Sequence, residues 1–342
     1  MTPLLSPMQK TGHSRRRAMQ ILAGAAGVCA LGAGVRALAP PARFFRWRGE
    51  VLGAVAEIAL WSGDEHSARS VVFRIERELA RFHRIFDLQN EASEISRLNR
   101  DGALSDASRE LRALIAESQT LGELSGGAFD ISVQPVWRVY ESHFWTKADI
   151  AADIAAKALA TARALVDFRG IEIVARRIAF ARPGMAVTLN GIAQGFIADA
   201  IADLLRNEGY DTAFVDLGEM RAIGAHPDGR AWRVGLKHPG RADSINRAVD
   251  LEDAALAVSG GYGTTFEPTG RFHHIFDPAT GASANSLRDV AVIGPRAAAA
   301  DGLSTAIYVA GEAKAAALLA AYPGNRALLT RLDMSVIEIA PA

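Results

Sequence analysis

Apolar residues recur at helical spacing along several long stretches of this chain. In "EHSARSVVFRIERELARFHRIF" (65–86), Val72, Ile75, Leu79 and Phe82 fall on one face, which predicts an amphipathic helix. Further helices are predicted in four stretches: "DASRELRALIAESQTLGELSGG" (106–127), "KADIAADIAAKALATARALV" (147–166), "LNGIAQGFIADAIADLLRNEGY" (189–210) and the alanine-rich segment that contains "DGLSTA" (301–306). Asp and Ser residues open the second of these helices and Gly126–Gly127 close it, whereas Asn190 is the predicted N-cap of the helix that Gly209 ends.

Shorter apolar runs, some of them alternating with polar residues, predict strands. The first is expected in "RWRGEVLGAVAEIALW" (46–61). The others follow the helix in 189–210: "TAFVDLGEMRAIGA" (212–225), "AWRVGLKH" (231–238), "AALAVSGGYGTTFE" (254–267), "RFHHIFDP" (271–278), "DVAVIGP" (289–295), "RALLT" (326–330) and "SVIEIA" (335–340). Because helices and strands mix without regular βαβ alternation, the sequence predicts an α+β (irregular α/β) fold with mixed sheets and flanking helices.

Composition and charge argue against two classes of protein. The 342 residues are 49% hydrophobic, and 38 basic residues balance 38 acidic ones. A net charge of zero leaves no excess of positive charge to neutralise phosphates, so a nucleic-acid partner is not expected. Cys29 is the single cysteine, which excludes an intrachain disulfide and a zinc site built from several cysteines.

The N-terminus has the layout of an export signal. Three arginines (15–17) precede a weakly hydrophobic Ala/Gly run, and "SRRRAM" is similar to a twin-arginine signal. A run so rich in Gly and Ala fits a membrane span poorly. We therefore predict an export signal in residues 1–39 and the functional domain in 43–342. The expected location is the periplasm, with an uncleaved, membrane-associated form as the minority alternative.

The segment "DGLSTA" carries the first candidate site. Asp301, Ser304 and Thr305 stand at i, i+3 and i+4, so a helix places their oxygen-bearing side chains on one face. Asp is a favoured N-cap residue, and the residues alone favour helix capping. The alternative is a site for a hard cation, because Mg²⁺ and Ca²⁺ bind oxygen ligands and often take only a few of them from protein.

Other polar or glycine-rich segments have the character of ligand sites. "SGGAFDISVQP" places two glycines before Asp130, a hydrogen-bond acceptor, although a helix C-cap followed by a strand explains it equally well. "TLNGIAQGFIAD" has Gly191 and Gly195 at a helix start, where free N–H groups suit a phosphate. His273 and His274 point to opposite faces of a strand, so at most one is expected to face a site.

Six of these segments, taken in order, resemble the pattern of the exported FAD:protein FMN transferases, also called the thiamine-biosynthesis lipoprotein family. The matching segments are "SEISRLN" (93–99), "GAFD" (127–130), "LNGIAQG" (189–195), "SGGY" (259–262), "HIFDPATG" (274–281) and "DGLSTA" (301–306). Any one of them is weak, but six in the right order are specific. The resemblance covers roughly residues 50 to 310.

The resemblance implies Mg²⁺-dependent transfer of FMN from FAD to a Ser or Thr hydroxyl of an exported or membrane flavoprotein, with release of AMP. It implies metal ligation by Asp301, Thr305, Ser304 and the backbone oxygen of Gly191. Asp301 and His274 are the candidate catalytic residues: His274 is expected either to orient or deprotonate the acceptor hydroxyl, or only to bind FAD. The implied flavin contacts are Leu52, Gln89, Ala128, Phe129, Asp130, Thr188, Gln194, His274 and Phe276.

Four positions depart from the family pattern, and Asn190 is one of them. Thr188 stands where an acidic residue is common, and Gln194 stands where Lys or Glu is common. Gln89 replaces a Tyr that stacks on the flavin ring, and Gln cannot stack in the same way. Weaker flavin binding, or a shift from transfer towards hydrolysis, is the hypothesis that follows. FAD hydrolysis to FMN and AMP, and a non-catalytic flavin-binding or assembly protein, are therefore the alternative functions.

Overall fold

A computed structural model describes residues 43–146, 154, 156–239 and 241–341. Within these residues the α-helices are α1 (Glu65–Phe86), α2 (Glu94–Asp101), α3 (Arg109–Leu124), α4 (Gln134–Thr146), α5 (Ala156–Arg163), α6 (Ala193–Asn207), α7 (Ala297–Ala310) and α8 (Glu312–Ala320). The strands are β1 (Arg43–Val51), β2 (Ala54–Ser62), β3 (Ala103–Leu104), β4 (Ile171–Val174), β5 (Arg177–Phe180), β6 (Ala213–Asp216), β7 (Met220–Ile223), β8 (Trp232–His238), β9 (Arg241–Leu251), β10 (Ala255–Gly260), β11 (Asp289–Gly294), β12 (Arg326–Thr330) and β13 (Val336–Ile339). The predicted export signal lies outside the described residues.

Eight of the described strands form one antiparallel sheet in the order β1-β2-β6-β7-β10-β11-β12-β13. Alternation along β10 shows how this sheet separates two cores: Ala255 and Ala257 pack in the larger core with the helices, whereas Leu256 joins a second core with the β8–β9 hairpin. A smaller apolar cluster contains Trp137 and Tyr140 of α4 together with Ala162 of α5. The predicted α+β class is confirmed.

The helices in 65–86 and 106–127 form as predicted, and side-chain caps explain where they begin. Asp64 accepts hydrogen bonds from the N–H groups of His66 and Ser67 at the start of α1. Ser108 caps α3 in the same way. Of the predicted helix in 147–166, the structure shows α5, and residues 147–153 and 155 lie outside the described residues.

Other predicted bounds are wrong because turns interrupt the apolar runs. The strand predicted in 46–61 is the β1–β2 hairpin, which turns at Leu52 and Gly53, both with positive φ. The strand predicted in 212–225 is likewise a hairpin, β6–β7. Residues 271–278 make only isolated bridges with neighbouring segments.

The helix start predicted at Asn190 is also misplaced, since α6 begins at Ala193 and has no side-chain cap. After α3 the chain enters a short 3₁₀ helix, Ile131–Val133, and then α4, where a strand was one expectation. Helices α2, α4 and α8, and strands β3, β4, β5 and β9, were not predicted. No described helix is long and apolar enough to cross a membrane.

Candidate functional site

A cavity opens where the start of α6, the middle of α7 and the end of β10 meet. Apolar and aromatic side chains form most of its wall, and a few polar groups converge on it, as is usual for small-molecule sites. We call it the main cavity. The predicted site residues that line it are Ala128, Phe129, Asp130, Thr188, Gly191, Gln194, His274, Phe276, Asp301 and Thr305.

A second cavity, here called the side cavity, adjoins the first. Leu52 and Gln89, the other predicted flavin contacts, line this side cavity. Trp137 and Asn190 line both cavities. The structure therefore divides the predicted flavin contacts between two adjoining spaces, with Trp137 at their junction.

Asp301 lies in the second turn of α7, so it does not cap that helix. The helix begins at Ala297, and the N–H groups of Ala297 and Ala298 donate to the carboxylate of Asp199 on α6, at 2.9 and 3.0 Å. Capping, the interpretation that the residues alone favoured, is therefore wrong. The Asp301 side chain is available to the main cavity.

The Asp301 carboxylate is held against α6 by one backbone hydrogen bond. The N–H of Gly195 donates to Oδ2 at 3.0 Å. A side chain at Gly195 is impossible without moving the helices, since a Cβ there would lie 2.3 Å from the carbonyl oxygen of Ala297. Asp301 is only 3% exposed, and burial raises the pKa of its carboxyl group to about 7.

Three hydroxyl groups link α7 to β10 beside Asp301. The Ser259 hydroxyl shares hydrogen bonds with Ser304 at 2.7 Å and with Thr305 at 2.9 Å. The Ser304 hydroxyl also donates to the backbone oxygen of Asp301, at 2.9 Å. Ser304 is fully buried and is absent from the cavity lining. Its position suits helix packing, whereas Thr305 faces the cavity as the predicted site requires.

Gly191 lies against Thr305 in the loop before α6. A Cβ at Gly191 would meet the Thr305 hydroxyl oxygen at 3.1 Å and the Phe129 ring at 3.4 Å. The space beside Thr305 therefore exists because residue 191 has no side chain. Together, Gly191, Asp301 and Thr305 bring a backbone segment, a carboxylate and a hydroxyl to one end of the main cavity.

Glu219 is a cavity residue that the sequence reasoning missed. It follows the turn between β6 and β7, is 6% exposed, and lines the main cavity with Asp301. Burial and the nearby charges of Asp301 and Asp216 raise the pKa of its carboxyl group well above the usual value. The signal in the sequence was an acidic residue inside "DLGEMRAIG", a run otherwise typical of strands.

The charged residues of the main cavity are all acidic. Its lining, as far as the described residues define it, contains Asp130, Glu219 and Asp301 but no Lys or Arg. Gln194, where the resemblance would allow Lys, is 5% exposed, and its side-chain nitrogen has no hydrogen-bond partner. An anionic ligand therefore needs a cation to enter this cavity, because no protein side chain supplies positive charge.

Asp130 differs from the other two carboxylates because the protein satisfies its oxygens. One oxygen accepts from the N–H and hydroxyl of Ser132, at 2.7 and 2.6 Å, and the other accepts from the N–H of Phe168 at 3.1 Å. Burial still raises the pKa of its carboxyl group. Asp130 thereby fixes the short helix that holds Phe129 at the cavity wall.

Of the paired histidines, His274 lines the main cavity and His273 does not. His273 is buried and bonds through Nε2 to the backbone oxygen of Ala284 at 2.9 Å. His274 lies 3.1 Å through Nδ1 from the backbone oxygen of Thr264, which can only accept a hydrogen bond. Burial and the neighbouring His273 lower the pKa of His274 to about 4, so its ring is neutral at pH 7 with Nε2 as an acceptor.

The donor set fits a hard cation better than a transition metal. Within the described ranges, no three or more His, Cys, Asp or Glu side chains are placed so that they could hold a metal ion together. The groups available in the main cavity carry oxygen atoms: the carboxylates of Asp301 and Glu219, the Thr305 hydroxyl, and the backbone of Gly191 beside it. Mg²⁺ prefers oxygen ligands and binds with few of them when substrate phosphates complete the shell.

The protein therefore has an α+β fold with a mostly apolar cavity, at one end of which acidic side chains and a hydroxyl group meet. The chain belongs to the ApbE family, whose family model matches residues 52–329. The FAD:protein FMN transferase of Treponema pallidum is 32% identical over 311 residues, which cover 84% of each chain. That of Vibrio cholerae is 28% identical over 257 residues, or 73% of this chain and 76% of the relative. The resemblance drawn from the six segments is confirmed.

Solved structures agree with this membership. The flavin transferase ApbE from Vibrio cholerae superposes with a TM-score of 0.76 at 26% identity, covering 88% of this chain and 98% of that one. The ApbE protein from Thermotoga maritima reaches a TM-score of 0.77 at 24% identity, covering 87% and 97%, and shows the fold alone.

Proposed function

We propose that this chain transfers FMN from FAD to the hydroxyl group of a Ser or Thr residue in an acceptor protein and releases AMP. Family membership supports flavin transfer, because the relatives described above are named FAD:protein FMN transferases. The observation that carries the proposal is the acidic main cavity, where Asp301, Thr305 and Gly191 converge beside an apolar wall.

In the proposed reaction the acceptor oxygen bonds to the FMN-side phosphorus of FAD. The bond from this phosphorus to the bridging oxygen breaks, that oxygen leaves with AMP, and the proton of the acceptor hydroxyl passes to water. Such a transfer depends on positioning and charge neutralisation more than on covalent help from the enzyme. Asp301, Thr305 and the backbone oxygen of Gly191 would hold Mg²⁺, which when bound supplies the charge neutralisation.

The chain's own side chains would orient the two substrates. The buried side chains of Phe129 and Phe276 line the main cavity and would pack against the flavin, while Trp137 lies between this space and the side cavity. His274, neutral at pH 7, presents Nε2 as an acceptor for the incoming hydroxyl group or for the flavin. Residues 1–39 would direct export to the periplasm, where an exported or membrane flavoprotein is the acceptor.

The test combines the mature domain, FAD, Mg²⁺ and an acceptor domain with a Thr-containing flavinylation motif. AMP release and the acceptor's mass are followed together. AMP with an acceptor that gains the mass of FMN supports the transferase. AMP with an unchanged acceptor supports hydrolysis, and bound FAD without AMP supports a flavin-binding protein. Omitting Mg²⁺ is the control for the cation requirement.

A further inference from the structure

Glu219 is directed into the main cavity by a tightly held turn. The N–H of Leu217 donates to the backbone oxygen of Glu219 at 3.0 Å, and the N–H of Gly218 donates to Asp216 Oδ1 at 3.2 Å. Gly218 has a φ of 100°, a conformation that favours glycine. Because the turn is fixed by its backbone, the position of the Glu219 side chain follows from the β6–β7 hairpin.

One oxygen of the Glu219 carboxylate has no hydrogen-bond partner among the residues that the structure describes. The carboxylate accepts a hydrogen bond from the N–H of Val258, but Oε2 is buried and has no hydrogen-bond partner. A buried, unsatisfied carboxylate oxygen is costly, and native structures rarely keep one without a reason. A ligand that approaches Oε2 through the main cavity would remove this cost.

The surroundings of Glu219 select the kind of ligand. Asp301 faces the same cavity and repels Glu219, and the described lining contains no Lys or Arg to separate the two charges. A hydrogen-bond donor on FAD could satisfy Oε2 but would leave two like charges together in a buried space. A divalent cation compensates both carboxylates, and both offer the oxygen atoms that it prefers.

We propose that Glu219 supplies the second carboxylate charge of the cation site, acting with Asp301, Thr305 and the backbone of Gly191. The inference rests on the proposed function and deepens it, since it assigns a ligand-holding role to a residue outside the six matching segments. It places the ion between two elements, the β6–β7 turn and α7, and thereby couples the sheet to the helix that carries Asp301.

The test measures Mn²⁺ binding to the folded chain without FAD, from the electron paramagnetic resonance signal of the free ion. Glu219→Gln keeps the side chain's shape and an oxygen for the N–H of Val258 but removes the charge. We expect its dissociation constant for Mn²⁺ to rise about 10- to 100-fold. Glu219→Asp keeps the charge on a shorter side chain and should bind more tightly than Glu219→Gln.

Glu117→Gln is the matched control, because it makes the same substitution at a partly buried glutamate that lies outside the main cavity. Circular dichroism shows that each variant is folded. Unchanged Mn²⁺ affinity in Glu219→Gln, with binding lost in Asp301→Asn, would overturn this inference and leave the proposed function standing. If the wild-type chain binds Mn²⁺ neither alone nor with FAD present, the cation requirement of the proposed function fails and this inference fails with it.

Discussion

Asp199 and Asp301 are buried carboxylates on neighbouring helices, yet the protein compensates only the first. Asp199 accepts from Arg221 Nε at 3.0 Å, pairs with Arg296 Nε at 3.2 Å, and caps α7 through two backbone N–H groups. Asp301 accepts one hydrogen bond, from Gly195, and faces Glu219. A compensated buried charge holds elements together, whereas an uncompensated one at a cavity indicates a ligand.

The largest effect is expected at Asp199. Asp199→Ala leaves the buried guanidinium of Arg221 without its partner, so the free energy of unfolding should fall by about 3–5 kcal/mol, measured by urea denaturation. Asp203→Ala is the control on the same helix, since Asp203 is exposed and its ion pair with Arg296 should contribute less than about 1 kcal/mol. Equal losses in the two variants would contradict the distinction between compensated and exposed charges.

At Asp301 we expect the opposite behaviour. Asp301→Asn should lower the rate of AMP release by about 100-fold or more, because a charge that positions the cation is lost. Without Mg²⁺, its free energy of unfolding should stay equal or increase, because a buried and uncompensated carboxylate is removed. A large loss of stability in this variant would show that Asp301 is a structural residue like Asp199.

Asp289 provides an intermediate case, since the groups that donate hydrogen bonds to it, Thr330 and Tyr262, are neutral. Tyr262 donates a long hydrogen bond of 3.4 Å, and burial raises the pKa of the Asp289 carboxyl group from 3.8 to about 6. The folded chain therefore keeps a proton that the unfolded chain releases, and stability should fall on the order of 2 kcal/mol as the pH rises from 4 to 6. Asp289→Asn should remove this part of the pH dependence, measured by urea denaturation across that range.

Asp253→Asn is the control with the opposite sign. The N–H of Gly224 and the guanidinium of Arg206 lower the pKa of the Asp253 carboxyl group. This carboxylate therefore stabilises the fold above its unfolded pKa, and that stability is lost as the pH falls. If Asp289→Asn and Asp253→Asn change the pH dependence of the free energy of unfolding in the same direction, burial and hydrogen-bond partners do not explain that dependence.

The smallest effect concerns Gln89 in the side cavity. Gln89→Tyr introduces a ring that can stack on the flavin, so the dissociation constant for FAD should fall about 2- to 10-fold, as followed by quenching of flavin fluorescence. Glu91→Tyr, in the lining of the same cavity, controls for unspecific aromatic contact. Unchanged affinity in Gln89→Tyr would remove Gln89 as an explanation for weaker flavin binding.

The spacing of apolar residues in the sequence predicted the long helices well, but it did not predict the turns of the hairpins. Amphipathic α1 and α3 followed from their spacing and capping residues, because those signals are local. The predicted site residues line the two cavities, apart from Ser304, whose hydroxyl bonds to Ser259 and the Asp301 backbone. A resemblance identifies positions, but only the packing shows which way a hydroxyl points.

Glu219 and Asp199 could not be found from the chain alone. Glu219 lies in what was predicted as one continuous strand, and the missed turn is what aims it into the main cavity. Asp199 reads as part of the polar face of α6, but its partners Arg221 and Arg296 are 22 and 97 residues away in sequence. Long-range compensation of charge depends on the assembled sheet and helices.

The acidic lining of the main cavity also makes the binding of the metal ion and the binding of FAD depend on each other. On the proposed function, FAD brings a pyrophosphate to a space whose described charges are all negative, so metal ion and nucleotide bind as a coupled pair. By reciprocity, each raises the affinity for the other by the same factor. The fraction of protein that holds both ligands then follows the product of the free Mg²⁺ and free FAD concentrations. A fall in Mg²⁺ therefore releases flavin even where flavin is plentiful.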